Sequence, residues 1–392
     1  MCNCLVVTAT RASTHGTTDG LSPAEPCQQV GFTEATSDFP ELLPSASDDQ
    51  GGFDVLLAGM VFLDIVFTDL PKPPSPGQEI WTGGMGSSPG GIANLAVATA
   101  RLDLRTALAA VFSEDGYGAW CQEVLAKQEH IDLSRSRTVS DWHTPVTISF
   151  AYNDDRAMVT HGHDSPVSAR ELIGTPPPTR AVIADLGSEP WWQDCTGALV
   201  FTDIGWDPDE VWDRGVLRRL AGCHAFMPNE VEAMAYTRTD TAEGALAAIA
   251  DLVPLAVVTR GPRGAIAIDQ TTGEQAEAPA LPVPAIDPTG AGDVFGAALV
   301  AGTLAGWPLA DRLGFASLCA SLAVRQFGGA LAAPGWGDIA DWWLCTKKAA
   351  ERGIAGADEL VARYSFLSDI VCQHRGRAIR RANATIARLA DV

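Results

Sequence analysis

The strongest chemical signal lies in residues 287–293, Asp-Pro-Thr-Gly-Ala-Gly-Asp, which open directly into a long apolar run. Consecutive small residues let a ligand approach the backbone, and N–H groups at a helix N-terminus bind anions. The carboxylate of Asp293 would repel a phosphate there, unless it takes the proton from the group that attacks the phosphate. The pattern indicates phosphoryl transfer to an alcohol, with Asp293 as general base and an anion hole formed by Gly290, Ala291 and Gly292. The alternative is that Asp293 only complements the helix dipole.

A second glycine-rich segment, residues 83–94, also leads into a helical pattern. Gly90 and Gly91 offer N–H groups and close approach, and Asn94 offers both a donor and an acceptor. That combination suits recognition of the hydroxyl groups of a polyol. Taken alone, the segment is also compatible with a plain loop-to-helix turn.

Neither segment is one of the common nucleotide-binding motifs. A P-loop needs Lys after Gly, and none of the four lysines of the chain follows a glycine. The dinucleotide pattern GxGxxG fails because Pro89 and Phe295 stand where its third glycine belongs. The sequence gives no support to a P-loop kinase or to a Rossmann oxidoreductase.

The composition restricts the partners of the protein. Its 392 residues include 48 acidic and 27 basic side chains, a formal net charge of −21, which repels phosphate backbones and anionic lipid heads. We therefore expect neither a nucleic-acid nor a membrane partner. The nine cysteines are odd in number and mostly isolated, which favours reduced thiols and a cytoplasmic location. The uncharged run between Asp293 and Asp311 contains Gly and Pro and predicts a buried helix.

The order of apolar segments predicts the fold class. From Phe53 onward, apolar runs of strand length recur between helical stretches, which is typical of a doubly wound α/β fold with a mostly parallel sheet flanked by helices. Residues 1–50, rich in Ser, Thr, Pro, Asp and Gly, predict a disordered leader. We expect residues 51–345 to form the main domain and residues 346–392 a helical C-terminal extension.

Two pieces outside this alternation predict a small β-sheet lid, drawn from about residues 66–86 and 144–162. Residues 78–84 resemble one strand of a ribbon, and the second piece resembles a hairpin with an Asn-Asp-Asp turn. His161 and His163 lie two residues apart on that hairpin and are expected to point to one face. Two imidazoles are too few for a metal site, so we favour contact between the lid and a substrate.

Together these segments resemble the signature regions of the ribokinase-like (PfkB) carbohydrate kinases, over about residues 53–334. Residues 287–300 match the downstream signature throughout. Residues 90–103 match the upstream one, except that Asp103 stands where the family usually has Gly. The resemblance implies a ribokinase-like α/β domain with a small β-sheet lid.

Two shorter motifs of the family follow in the expected order. Asn229 and Glu232 look like its NxxE motif, and the resemblance implies that they help to position Mg²⁺ around the phosphates of ATP. Thr259, Gly261 and Gly264 look like its TxGxxG strand and turn, which implies that they line the nucleotide groove. ATP and Mg²⁺ are therefore the cofactors that the resemblance implies.

The resemblance also assigns roles around the acceptor. Asp293 would deprotonate the acceptor hydroxyl, while Asp64 would hold sugar hydroxyls together with the upstream glycine pair and Asn94. Asp287 and Thr289 match positions that bind a monovalent cation such as K⁺ in many members. The implied activity is ATP-dependent phosphorylation of a sugar hydroxyl.

Alternatives remain at the level of the substrate. Phe62 stands where ribokinases proper have Asn, which argues against ribose and would suit stacking on the base of a nucleoside. A nucleoside kinase of the same family therefore stays open. A phosphorylated sugar is a third choice, although it calls for basic residues near the acceptor and none stands close to Asp64 or Asn94 in sequence. A catalytically silent sugar sensor and a homodimer formed through the lid also stay open. Arg260 and Arg263 are the cations nearest in sequence to the phosphate site, where one would touch ATP or each would pair with a surface carboxylate.

Overall fold

The computed structural model describes residues 52–68, 70–152, 155–326 and 328–374. The predicted leader, the turn of the predicted hairpin and the end of the predicted extension lie outside these residues. The strands are β1 (Phe53–Ala58), β2 (Val61–Thr68), β3 (Gly84–Gly91), β4 (Thr106–Ala109), β5 (Val111–Ser113), β6 (Arg137–Val139), β7 (Val146–Tyr152), β8 (Asp155–His161), β9 (Thr179–Asp185), β10 (Leu199–Asp203), β11 (Ala225–Phe226), β12 (Leu255–Thr259), β13 (Ala265–Asp269) and β14 (Glu274–Ala278). The α-helices are α1 (Ile92–Arg101), α2 (Gly116–Glu123), α3 (Ala169–Ile173), α4 (Glu230–Thr237), α5 (Ala242–Ala250), α6 (Ala291–Leu304), α7 (Leu309–Ala323), α8 (Trp336–Glu351), α9 (Ala357–Arg363) and α10 (Leu367–Gln373).

Eight strands form the main sheet, in the order β14-β13-β12-β11-β10-β9-β1-β4. Every neighbouring pair from β4 to β12 is parallel, whereas the β12–β13 and β13–β14 pairs are antiparallel. Helices connect most of the parallel strands, and their apolar faces cover the sheet. The predicted doubly wound, mostly parallel α/β architecture is confirmed.

Strand β1 shows why its sequence is apolar at successive positions. Val55 and Leu57 belong to one buried apolar cluster, and Leu56 and Ala58 belong to another. Successive side chains of a strand point to opposite faces, so the two clusters lie on opposite sides of the sheet. Helix α6 lies in the first cluster, whose side of the sheet it therefore covers.

A separate four-stranded sheet, in the order β3-β2-β7-β8, forms the predicted small lid. The hairpin of β7 and β8 is confirmed, and β7 pairs in parallel with β2. The ribbon expected over residues 78–84 was placed wrongly, because no strand covers 78–83 and β3 begins at Gly84. Four prolines within residues 71–76 precede this segment and cannot donate to a ladder.

The apolar run that begins at Phe53 divides into two strands. β1 ends in the main sheet, and β2 begins in the lid after a break at Gly59, whose N–H donates to the carbonyl of Ala109 at 3.2 Å. A Cβ at Gly59 would lie 3.1 Å from the Cβ of Ile92. The glycine thus lets the chain leave the sheet beside α1, and this break carries Asp64 into the lid.

Asp103 keeps the backbone conformation that a glycine would normally provide. It follows α1 with a φ of 64°, in the left-handed region. Asp tolerates this region better than most residues because its short polar side chain can hydrogen-bond locally. The departure from the family's Gly therefore leaves the turn after α1 intact.

The predicted C-terminal extension packs on the main domain over its described part. Helix α8 crosses the expected boundary at 345/346, and Trp343, Tyr364 and Leu367 belong to the same buried cluster as α6. Among the described residues, no helix combines the length and the apolar character needed to cross a bilayer.

Candidate functional site

Two helix N-termini meet at the centre of the candidate site. Helix α1 follows Gly91, with a φ of 63°, and α6 follows Gly290, with a φ of 74°; both conformations favour glycine. The side-chain amide of Asn94 on α1 donates to Oδ2 of Asp293 on α6 at 2.9 Å. The two side chains are only 3% and 4% exposed, so the contact fixes them against each other. The two glycine-rich signatures therefore meet through this hydrogen bond.

A side chain at Gly290 would be strained by the φ of 74° rather than by lack of space, because the nearest atoms lie at van der Waals distance. A Cβ at Gly290 would lie 3.4 Å from Cγ of Asn94 and 3.4 Å from Cα of Gly329. Of the three predicted anion-hole residues, Ala291 donates its N–H to the carbonyl of Pro288 at 3.2 Å. The other two predicted donors, the N–H groups of Gly290 and Gly292, belong to the same helix N-terminus.

Asn94 also presents an unsatisfied acceptor. Its Oδ1 is buried and has no hydrogen-bond partner among the described residues. A buried acceptor without a partner costs on the order of 1–3 kcal/mol, so a donor from a ligand would be stabilised there. The hydroxyl group of a polyol is such a donor.

Asp64 lies against the upstream glycine pair, as the sequence predicts. A Cβ at Gly90 would lie 1.9 Å from Oδ2 of Asp64, so only glycine fits beside this carboxylate. The ring of Phe62 lies against Gly91, where a Cβ would be 2.6 Å from Cδ2 of the phenylalanine. The acid, the aromatic ring and the N-terminus of α1 thus form one surface next to Asn94.

The loop that precedes α6 is held by the carboxylate of Asp287. Its Oδ1 accepts hydrogen bonds from the N–H and the hydroxyl of Thr289, and its Oδ2 accepts from the N–H of Gly328. Asp287 is 4% exposed. The carboxylate of Asp287 therefore connects the loop before α6 to the turn that contains Gly328 and Gly329.

A buried ion pair supports the same turn from the far end of α1. The guanidinium of Arg101 donates to both carboxylate oxygens of Glu129 and to the carbonyls of Leu331 and Ala333. Arg101 is 1% exposed. Because the turn packs against Asn94, this arginine positions the site without facing it.

A row of acidic side chains lies at the carboxyl ends of the central strands. Asp185 ends β9 and Asp203 ends β10, and the sheet register pairs the two residues directly. Glu232, in the first turn of α4, is 3% exposed and accepts a hydrogen bond from the N–H of Asn229, whose side chain accepts from the N–H of Glu232. The two NxxE residues thus form a capping box, which fixes the glutamate at this edge.

Crowding of these acids changes their protonation. Burial raises the pKa of Glu232 to about 7, and the charge of Asp185 adds to the effect. Burial, followed by the charge of Glu232, holds the pKa of Asp203 well above its ordinary value, and Asp293 contributes to the same shift. Carboxylates that repel one another in a partly buried site are suited to a divalent cation with oxygen ligands, such as Mg²⁺. Asp203 and Glu232, with Asn229, are the residues that would hold it.

The predicted nucleotide-facing turn lies beside this acidic row. Thr259, at the end of β12, pairs in parallel with Asn229 through an isolated bridge. Gly261 and Gly264 have φ values of 54° and 84°, and a Cβ at Gly264 would lie 1.9 Å from the carbonyl oxygen of Ala278. The TxGxxG turn is therefore tight and lies next to the NxxE motif.

The two arginines of that turn are engaged in ion pairs. Arg260 is 6% exposed and pairs with Glu243 and Glu277, and Arg263 pairs with Glu230 on the surface. The sequence left open whether these arginines touch ATP or pair with carboxylates, and the ion pairs agree with the second interpretation.

Two acidic residues of the site were missed from the sequence. Asp185 and Asp203 each end an apolar strand of the parallel sheet, and ligands of open α/β sheets bind at the carboxyl ends of the strands. Their position at the ends of apolar strands could have identified them from the sequence. That Asp185 and Asp203 are neighbours follows only from the strand order.

The chain is similar to a family profile, to a curated relative and to solved structures. The profile of the pfkB family carbohydrate kinases matches residues 194–335. A fructokinase from Klebsiella pneumoniae is 30% identical over 274 residues, which cover 62% of this chain and 85% of the fructokinase. An Arabidopsis thaliana ribokinase solved with ribose and ATP has a TM-score of 0.61 at 22% identity and covers 74% of this chain and 98% of its own. A protein from E. coli solved with ATP and Mg²⁺ has a TM-score of 0.61 at 21% identity, covering 71% of this chain and 95% of its own.

Proposed function

Because the chain belongs to the pfkB family of carbohydrate kinases, we propose that it transfers the γ-phosphoryl group of ATP to a hydroxyl group of a sugar, with Asp293 as the general base. The observation that carries this proposal is the contact between Asn94 and Asp293. It joins a carboxylate at a helix N-terminus to an amide that has a second, unsatisfied polar atom. A sugar hydroxyl bound by Asn94 would therefore be presented to the carboxylate.

The acceptor is held from the lid side. Asp64 accepts hydrogen bonds from sugar hydroxyls. Because Gly90 and Gly91 have no side chains, the sugar can approach the N-terminus of α1 closely. Oδ1 of Asn94 accepts from a further hydroxyl. The lid residue Asp64 and the helix residue Asn94 together orient the acceptor oxygen toward Asp293.

At the phosphoryl side, the residues of the chain supply charge stabilisation and proton transfer. Asp293 takes the proton of the acceptor hydroxyl, and the N–H groups of Gly290, Ala291 and Gly292 stabilise the charge of the transferred group. Removing one donor of this kind costs about 10² to 10³ in rate. Mg²⁺, held by Asp203, Glu232 and Asn229, would neutralise the ATP phosphates. Thr259, Gly261 and Gly264 line the nucleotide groove, and Asp287 and Thr289 are the proposed ligands of a monovalent cation such as K⁺.

A nucleoside is the second candidate substrate. It is favoured by the ring of Phe62, which lies against Gly91 on the surface that carries Asp64. An aromatic ring at this place would stack on a base, and base stacking contributes about 1–3 kcal/mol in sites that bind single-stranded nucleic acids. The fructokinase relative supports a sugar instead.

The test is release of ADP by the purified full-length chain, with Mg²⁺ and ATP, against a panel of sugars that includes fructose, of sugar phosphates and of nucleosides. We expect turnover on an unphosphorylated sugar and loss of that turnover when Mg²⁺ is chelated. Turnover on nucleosides alone would replace the first candidate by the second. ATP binding without turnover on any member of the panel would contradict both and favour a silent sugar sensor.

A further inference from the structure

Three histidines come together outside the site described above. His161 ends β8, His163 follows two residues later, and His143 lies in the segment between β6 and β7. Each can offer one ring nitrogen so that the three nitrogens lie within 4.8 Å of one another. All three side chains are exposed. His143, 18 positions before His161, supplies the third ligand that the pair of His161 and His163 lacks.

The backbone on either side of His143 is anchored. The indole of Trp142 donates to the carbonyl of Asp164 at 3.1 Å, and the carbonyl of Trp142 accepts from the hydroxyl of Ser113 at 2.6 Å. On the other side, the N–H and the hydroxyl of Thr144 each donate to the carboxylate of Asp115 at 2.8 Å. His143 is therefore held at a fixed distance from the residue that follows His163.

The other two histidines are held by the lid sheet. His161 pairs with Val146 in the antiparallel ladder of β7 and β8. Between them, Gly162 approaches Pro145 so closely that a Cβ would lie 2.7 Å from the Cβ of that proline. The base of the hairpin thus brings both imidazoles next to His143 without a bulky residue between them.

The rings themselves are packed together and otherwise unengaged. Their centroids lie 4.6 to 5.4 Å apart. Among the described residues no hydrogen bond or ion pair engages their ring nitrogens. An open cavity of about 380 Å³ lies beside them, lined by His143 and His161 together with Asp115 and Tyr117.

We propose that His143, His161 and His163 form a binding site for one divalent transition-metal ion of the zinc type, with a fourth coordination position open to the cavity. Zinc–nitrogen bonds of 2.0–2.1 Å in a tetrahedral site put ligand nitrogens about 3.3 Å apart, which these exposed side chains reach by small rotations. Imidazole suits Zn²⁺, Ni²⁺, Co²⁺ and Cu²⁺, whereas Mg²⁺ and Ca²⁺ prefer oxygen. The net charge of −21 further raises the local concentration of cations.

The test is calorimetric titration of the metal-free full-length chain with ZnCl₂, in buffer that contains excess Mg²⁺ to occupy carboxylate sites. We expect one equivalent of Zn²⁺ to bind in the micromolar range or tighter and to raise the melting temperature. Co²⁺ should give the intense visible d–d absorption of a four-coordinate nitrogen site. The variants His143→Asn, His161→Asn and His163→Asn should each weaken Zn²⁺ binding at least about tenfold.

The matched control is His130→Asn, which changes an exposed histidine outside the cluster at a residue whose φ of 55° Asn tolerates. It should leave Zn²⁺ binding unchanged. Melting of the metal-free variants checks their folding, and His163→Asn lies outside β8, so strand pairing does not depend on it. Equal Zn²⁺ affinity in His163→Asn and wild type, or no binding by the wild type, overturns the proposal.

Discussion

The side-chain amide of Asn94 donates to Oδ2 of Asp293 at 2.9 Å, across 199 positions of sequence. The contact joins the first turns of α1 and α6, and Oδ1 of Asn94 stays buried with no hydrogen-bond partner in the described part of the chain. The amide thus holds the carboxylate of the proposed base at the N-terminus of α1. Asn94 therefore connects recognition of the acceptor with the position of the proposed base.

Replacing this amide by an acid should move the pH dependence of the reaction. Asn94→Asp puts a second carboxylate beside Asp293, and like charges at this distance raise the pKa of the pair. We expect the acidic limb of the profile of kcat/KM against pH to shift to higher pH, with lower activity at neutral pH. Asn94→Ala removes the amide without adding a charge and should shift the limb less. An unmoved acidic limb in Asn94→Asp argues against coupling between the two residues.

A methyl group at Gly90 should damage sugar binding selectively. The added Cβ would overlap Oδ2 of Asp64, so this carboxylate must move away from the acceptor. We expect Gly90→Ala to raise the KM for the sugar at least about tenfold, with the Kd for ATP unchanged. The control is Gly116→Ala, where a Cβ would contact nothing within 4 Å. Equal effects on both substrates would assign Gly90 to general packing.

Ionisation of Glu232 should destabilise the metal-free protein as the pH rises. Its pKa is about 7 in the folded chain, against an ordinary value of 4.5, so between these values the folded state binds more protons than the unfolded state. The free energy of unfolding therefore falls with rising pH over this interval. Relative to Glu232→Gln, we expect a fall of roughly 1–2 kcal/mol between about pH 5.5 and pH 8 by urea denaturation. A difference that stays constant over this range contradicts the shifted pKa.

Loss of the buried Arg101 should destabilise the fold strongly. Arg101→Met leaves the carboxylate of Glu129 buried without its partner, which costs about 3–5 kcal/mol. Urea denaturation measures this loss in the free energy of unfolding. Arg137→Met, which breaks an exposed pair with Glu171, should cost no more than about 1 kcal/mol. Similar losses in the two variants would mean that Arg101 has no special role.

The sequence predicts those parts of the molecule that depend on local pattern. Apolar runs between helical stretches predicted the parallel sheet, and two glycine-rich segments predicted helix N-termini, because small residues and periodicity act over a few positions. Contacts between distant strands depend on sheet order instead. The pairing of Asp185 with Asp203 and the approach of His143 to the β8 hairpin both depend on register, which no local pattern specifies. The division of the first apolar run at Gly59 depends on the position of α1 beside it.

The most direct test of the account is the rate of the variant Asp293→Asn. The substitution keeps the size of the side chain and removes the base. With the substrate identified in the panel, we expect kcat to fall by about 10² to 10⁴, while the Kd for ATP with Mg²⁺ and the melting temperature stay close to those of the wild type. A kcat within tenfold of the wild type, in a variant that still binds ATP, would contradict the role of Asp293 as general base.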